Sequence, residues 1–151
     1  MTPLSSRPAP SSKSVSEVMR RVRSKDTRPE LAVRKILFST GYRYRVHYKP
    51  SAIPIGRSNI DIAFPGIKLA VFIDGCFWHS CPQHGTIPKA NGEWWKEKLT
   101  NNHIRDERVA DALKAAGWTV LRFWTHETPQ AVANAITREI ANLRGEPINA
   151  E

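Results

Sequence analysis

Residues 68–73 read KLAVFI, an almost unbroken apolar run set between Pro65-Gly66 and Asp74-Gly75. A short apolar run bounded by turn formers predicts a strand covered on both faces, hence the centre of a sheet. Three further strands are expected. Over residues 42–48 Tyr42, Tyr44, Val46 and Tyr48 alternate with Arg43, Arg45 and His47, which puts the two sets on opposite strand faces. Residues 59–64 and 118–124 (WTVLRFW) supply the others. Elsewhere the period is helical. Residues 15–23 (VSEVMRRVR) predict a short basic helix with Val15, Val18, Met19 and Val22 on one stripe. Thr27-Arg28-Pro29-Glu30 has the capping-box pattern and opens a helix through Leu31, Ile36 and Leu37 to a stop at Gly41. A long helix over residues 93–116 stops at Gly117, and a last one follows Thr128-Pro129 with Val132, Ile136, Ile140 and Leu143 inward. After the basic helix the order is α-β-β-β-α-β-α, with no internal repeat. That order implies an α/β domain whose mixed sheet is flanked by helices.

Composition narrows the setting. A chain of 151 residues suits one domain that folds without staples. The opening residues 1–14 are Pro/Ser-rich with almost nothing apolar to bury and are expected to be disordered; the domain is expected over residues 15–144 and a C-terminal tail over 145–151. Lys plus Arg exceeds Asp plus Glu by 23 − 14 = 9, an excess that suits a polyanion such as nucleic acid, although a soluble protein can carry it idly. No apolar run approaches the roughly 20 residues of a membrane span, and the start has no signal-peptide core. The expectation is a cytoplasmic, nucleoid-associated protein without a membrane partner.

The chemistry concentrates in VFIDGCFWHSCPQHG, residues 71–85, which holds both cysteines of the chain. Cys76, Cys81 and His84 have ligand types that suit tetrahedral Zn²⁺, and His126, just past the fourth strand, is a plausible closer; the alternative is a chance meeting of these residues in a loop. Asp61, in the strand I-D-I, should send its carboxylate to the side opposite its neighbours. It then needs a partner: an arginine, or a divalent cation held with the Ile73 carbonyl and the Asp74 carboxylate in an oxygen-only Mg²⁺ site. His79 is either a further zinc ligand or a rigidly held imidazole able to accept a proton from water. Spacing alone assigns Glu30 to the capping box. Phe77 and Trp78, with Trp94 and Trp95, could wedge between base pairs or simply pack in a core, and one of Trp94 and Trp95 is expected inward.

Together RSKDTRPEL (23–31), Asp61, VFIDGCFWHSCP (71–82), EWWKEK, NNHIRDERV and GWTVLRFW (117–124) resemble the very short patch repair endonucleases, which nick DNA at T:G mismatches left by deamination of 5-methylcytosine. The resemblance implies a restriction-endonuclease-like core of the PD-(D/E)XK group with a structural zinc site. It also implies that Asp61 binds catalytic Mg²⁺, that Ile73 meets the metal through its main-chain oxygen, and that His79 is the general base with Glu30 assisting. Phe77, Trp78 and Trp95 match aromatics that insert beside the mismatch, and Cys76, Cys81, His84 and His126 fall on or next to the zinc positions. The chain departs from the family in three places: S-N-I precedes Asp61 where Pro-Asp is usual, Ile73 lacks a hydroxyl that some members carry, and Asp74 stands where a histidine occurs in others.

The expected activity is therefore Mg²⁺-dependent nicking of double-stranded DNA 5′ to the T of a T:G mismatch, by a monomer. Arg20, Arg23, Lys25, Arg43, Arg45 and Arg105 are candidate phosphate contacts, and a DNA cytosine methyltransferase with repair polymerase and ligase is the implied functional company. Two rivals are a zinc-stabilised module that binds distorted DNA without cutting, and a nuclease of the same fold acting on matched or branched DNA.

Overall fold

The computed structural model describes residues 26–76, 79, 81–83, 87 and 89–147. The tail expected over residues 1–14 and the basic helix over 15–23 lie outside them, as do residues 148–151 of the C-terminal tail. The elements are α1 (Arg28–Ser39), β1 (Arg45–Tyr48), β2 (Ile60–Phe64), a 3₁₀ turn (Pro65–Ile67), β3 (Leu69–Asp74), α2 (Gly92–Ala115), β4 (Thr119–Trp124) and α3 (Pro129–Arg144). The strands form one sheet in the order β1-β2-β3-β4. β1 and β3 both run antiparallel to β2, while β4 is parallel to β3. Parallel neighbours need a long crossover, and α2 provides it.

Every residue of β3 is buried, as its apolar run requires. One face of the sheet packs Ile62, Phe64, Leu69, Val71 and Ile73 against Val33 and Leu37 of α1 and Val132, Ala133, Ile136 and Ile140 of α3. The other packs Ile60, Ala63, Ala70, Phe72 and Trp118 under Val109 and Leu113 of α2. Full burial of side chains such as Leu37, Ile136 and Ile140, each 0% exposed, contributes roughly 1.5–3 kcal/mol apiece and fixes both helices on the sheet. Leu143, expected inward, is 38% exposed because it belongs to the last turn of α3, beyond the sheet-facing set.

Helix ends set the strand starts. After α2, Gly117 takes φ +86°, which lets its N–H reach the Lys114 carbonyl and the Trp118 N–H reach that of Leu113. This Schellman closure turns the chain at once into β4, where the Thr119 N–H meets the Lys68 carbonyl at 2.8 Å.

Two expectations about faces fail near β1. The strand begins at Arg45 rather than residue 42, and its tyrosines divide: Tyr42 and Tyr44 pack on the α1/α3 side, Tyr48 on the α2 side, and Val46 is exposed. The cause is His47, whose φ of +47° is left-handed and breaks the two-residue alternation. The neighbours of Asp61 divide likewise, Ile60 toward α2 and Ile62 toward α1 and α3. Among the described residues no helix is long and apolar enough to cross a membrane.

Candidate active site

β2 and β3 are paired from Phe64–Leu69 to Ile62–Val71. Past that point the Asp61 side chain replaces the ladder: its Oδ2 accepts the Ile73 N–H at 2.9 Å. No cationic side chain forms an ion pair with Asp61 among the described residues, so an arginine partner is absent there. Burial pushes the Asp61 pKa up to about 7; the nearby Glu30 and Asp74 charges add to the rise, while the Ile73 N–H and His47 oppose it.

Glu30 reaches this region from α1. Thr27 caps the helix by accepting the Glu30 N–H at 3.4 Å, so half of the capping box forms. The Glu30 carboxylate does not complete it. It is 1% exposed and forms a short ion pair with Arg34 one turn on. Arg34 also bonds Asp26 at 2.8 Å, and Asp26 in turn meets His47 Nε2 at 3.0 Å. Hydrogen bonds from Arg34 and His47 hold the Asp26 carboxyl below its ordinary value. Asp26, Glu30 and His47 offer ligand atoms within 4.8 Å of one another, but the Arg34 guanidinium already joins the two carboxylates.

His79 approaches the same end of β3 from the following loop, whose backbone is closed by His79 N–H to Gly75 O (3.1 Å) and Cys81 N–H to Cys76 O (3.0 Å). Its Nδ1 lies 2.5 Å from Asp106 Oδ2 on α2 and 3.8 Å from Asp74 Oδ1. A carboxylate only accepts, so Nδ1 carries the proton and Nε2 is left with the lone pair. Burial pushes the imidazole pKa down, but the Asp106 hydrogen bond and the Asp74 and Asp106 charges outweigh it and leave it above the ordinary histidine value; Arg122 opposes the rise. Asp74 itself is held by Arg122, whose Nη1 lies 3.0 and 3.1 Å from its two carboxylate oxygens. Beside the pair opens a cavity of about 610 Å³, lined by Asp74, His79, Asp106, Arg122, Trp124 and residues of α2.

Of the residues proposed for zinc, Cys76, Cys81 and His126 come together: His126 Nδ1 is 3.3 Å from Cys76 Sγ and 3.7 Å from Cys81 Sγ. β4 is responsible, since it runs parallel to β3 with Trp124 opposite Asp74 and so delivers His126 beside the loop. His84 lies outside the described residues, as do Phe77, Trp78, Arg20, Arg23 and Lys25. Trp95, matched by the resemblance to an aromatic that inserts beside a mismatch, is 8% exposed and is the inward one of the two tryptophans. Trp94 is only partly buried, stands edge-on to Trp95 at 4.9 Å and carries the Lys98 ammonium 5.3 Å from its ring centroid. Being consecutive on a helix, the two point in different directions, and only Trp95 is buried. Arg43 is exposed, with its guanidinium 4.0 Å over the Phe38 ring.

Asp26, Arg34, Asp106 and Arg122 have no part in the expectations drawn from the sequence. Asp106 is separated from His79 by 27 positions and gives no local signal. Arg122 did give one: a lone charge inside WTVLRFW must find a partner in or beside the core.

Comparison with known proteins places these residues in context. Residues 10–84 match the family described as DNA mismatch endonuclease Vsr. The chain is 43% identical over 139 residues to the type II nicking enzyme V.NaeI of Lentzea aerocolonigenes, covering 90% of this chain and 82% of that one. It is 45% identical over 112 residues to the type II nicking enzyme V.XorIIP of Xanthomonas oryzae pv. oryzae (73% and 78% covered). With the DNA mismatch endonuclease Vsr of Escherichia coli it shares 32% identity over 110 residues (72% and 67% covered).

Proposed function

The chain belongs to the Vsr family of DNA endonucleases, and from that premise we propose that it nicks double-stranded DNA 5′ to the T of T:G mismatches by Mg²⁺-dependent phosphodiester hydrolysis. The observation that supports the reading is that the end of β3 carries both Asp61, bonded to the Ile73 N–H and without a cationic partner among the described residues, and, beside Asp74, a histidine oriented by the Asp106 carboxylate.

The residues fit a magnesium ion. Asp61 is an oxygen donor whose burial, reinforced by the Glu30 and Asp74 charges, raises its pKa to about 7, and a divalent cation would relieve that field. Asp61 and the Ile73 carbonyl would hold the ion, which when bound supplies charge stabilisation to the phosphate. His79 takes a proton from the attacking water at Nε2, because Asp106 fixes Nδ1 as the donor side of the ring. Glu30, held by Arg34, adds a second carboxylate near Asp61 and orients water around it. Cys76, Cys81 and His126 have the donor chemistry of a structural Zn²⁺ site, which His84 would complete as fourth ligand and which would pin the loop carrying His79. Basic side chains would supply phosphate contacts, and Phe77, Trp78 and a tryptophan of α2 the wedge at the mismatch.

A second reading has a specific observation behind it. Relatives at 43% and 45% identity are named type II nicking enzymes, which supports nicking without specifying a mismatch. One experiment separates the readings: purified protein is incubated with T:G, matched and branched duplexes, with Mg²⁺ or with EDTA. Mg²⁺-dependent nicking confined to T:G supports the first; equal cutting of the matched duplex replaces it with the second.

A further inference from the structure

Arg122 lies opposite Phe72 in the parallel β3–β4 ladder, on the sheet face covered by α2. Its guanidinium sits 4.3 Å over the Phe72 ring. From there it reaches two elements at once. Nη1 donates to Asp74 Oδ1 and Oδ2 at 3.0 and 3.1 Å, and Nη2 donates to the main-chain carbonyl of Asp106 at 3.3 Å. Asp74 is two residues beyond Phe72 and therefore on the same face, with a side chain only 10% exposed. Asp106 is the residue whose carboxylate receives His79. One planar cation thus ties the end of β3 to α2 at two residues whose carboxylates lie 3.8 and 2.5 Å from His79 Nδ1.

We propose that Arg122 is a positioning residue: it holds Asp74 out of the metal's ligand set and uses it, with the Asp106 main chain, as the frame that keeps His79 aligned. The inference rests on the reading of His79 as the base. Both Asp74 oxygens face the guanidinium, whereas Asp61 keeps its carboxylate free of any cationic side chain among the described residues, so the two aspartates at the β3 end divide the work. Lysine has the charge but not the fork, so it could satisfy Asp74 or the Asp106 carbonyl but not both in the same plane.

The test uses the full chain on a T:G duplex with saturating protein and Mg²⁺, measuring single-turnover nicking and duplex binding separately. Arg122→Gln is expected to slow nicking by about 10- to 100-fold, as loss of a supporting partner usually does, with the binding constant changed by less than about threefold. Arg122→Lys should recover only part of the rate. Asp74→Asn combined with Arg122→Gln should be less impaired than the product of the two single losses, because the orphaned carboxylate is gone. If Arg122→Gln does not fold, Arg122→Lys and the double variant carry the same comparison. Full rate in Arg122→Gln or Arg122→Lys overturns the proposal. It is overturned too if Asp74→Asn raises the Mg²⁺ concentration for half-maximal rate by about tenfold or more, since Asp74 would then be a metal ligand. His79→Ala is assayed in parallel: a wild-type rate there means that the base itself was misassigned, an outcome distinct from either result at position 122.

Discussion

Asp61 Oδ2 accepts the Ile73 N–H at 2.9 Å, so a carboxylate on β2 stands where the backbone ladder to β3 has ended. The contact fixes the side chain at the place where the Ile73 carbonyl also emerges, on a strand buried along its whole length. Ionised, this carboxylate has one main-chain donor and two acidic neighbours.

That environment makes stability depend on pH with a definite sign. The folded-state pKa is raised from 3.8 to about 7, so the native protein holds the proton more tightly than the unfolded chain. The stabilisation is complete below about pH 4 and is lost as pH rises through about 7; linkage caps the effect at about 4 kcal/mol. Asp61→Asn keeps an acceptor for Ile73 and removes the ionisation. In EDTA at pH 8 the variant should be more stable to urea than the wild type, and the difference should vanish near pH 4. The same variant should lose nicking by about a thousandfold or more while still binding DNA, since several kcal/mol of charge stabilisation disappears with the metal. A stability gap that does not change between pH 4 and pH 8 would contradict the assignment.

For the His79–Asp106 pair the expectation concerns rate. As the proposed base, His79 must be neutral, and its pKa lies above the ordinary value because the Asp106 hydrogen bond and the Asp74 and Asp106 charges outweigh burial. Nicking should therefore rise with pH along an acid limb above 6.5. Asp106→Asn removes the charge and no longer enforces Nδ1 as the protonated nitrogen. It should lower the single-turnover rate by about 10²- to 10⁴-fold and move the acid limb downward, with DNA affinity unchanged. An unaltered pH–rate profile in this variant would show that Asp106 does not govern the base.

The elements were legible in the sequence where burial alone decides them. The run at β3, the stop at Gly117 and the Thr128-Pro129 helix start each follow from one local rule, and each stands in the fold. The faces around β1 were not, because the turn of alternation depends on a single left-handed residue, His47, which nothing in Tyr-Arg-Tyr-Arg-Val-His-Tyr announces. In the site the same divide holds. Cys76, Cys81 and His126 were readable from ligand type and strand order, Asp61 from its place in the strand I-D-I before any resemblance, and a site role for Glu30 from the family resemblance alone. Asp106 and Arg122 meet partners 27 and 48 positions away, contacts that exist only once α2 has crossed over the sheet and β4 has paired beside β3.

Zinc should be present at one ion per chain in the purified protein, measured by elemental analysis. Cys81→Ser or His126→Ala should lower that content and loosen the loop around His79 while the sheet remains intact, because the two hydrophobic clusters lie on the sheet's faces and not in the loop. Folded, active protein without zinc would end this reading, and loss of zinc in His79→Ala would make His79 a ligand instead of a base.

The two adjacent tryptophans at the start of α2 should separate stability from recognition. Trp95 is 8% exposed, so Trp95→Ala should cost about 3–5 kcal/mol of stability, the range for emptying a buried aromatic site. Trp94 is only partly buried, and Lys98 stands over its ring, so Trp94→Ala should cost far less and leave the fold intact. If aromatics wedge beside a mismatch, the unstacking they impose is least where pairing is already weak, and the wedge itself favours T:G over T:A. Trp94→Ala should then reduce the ratio of T:G to T:A binding more than it reduces binding to either duplex, measured by competition at one fixed salt concentration so that the phosphate contribution is constant. Trp78→Ala, in the loop between the cysteines, should act in the same direction. The contrary outcome is equally readable: a Trp95→Ala protein of undiminished stability but reduced T:G preference would return Trp95 to the wedge, and an unchanged preference in both Trp94→Ala and Trp78→Ala would leave mismatch recognition to other groups.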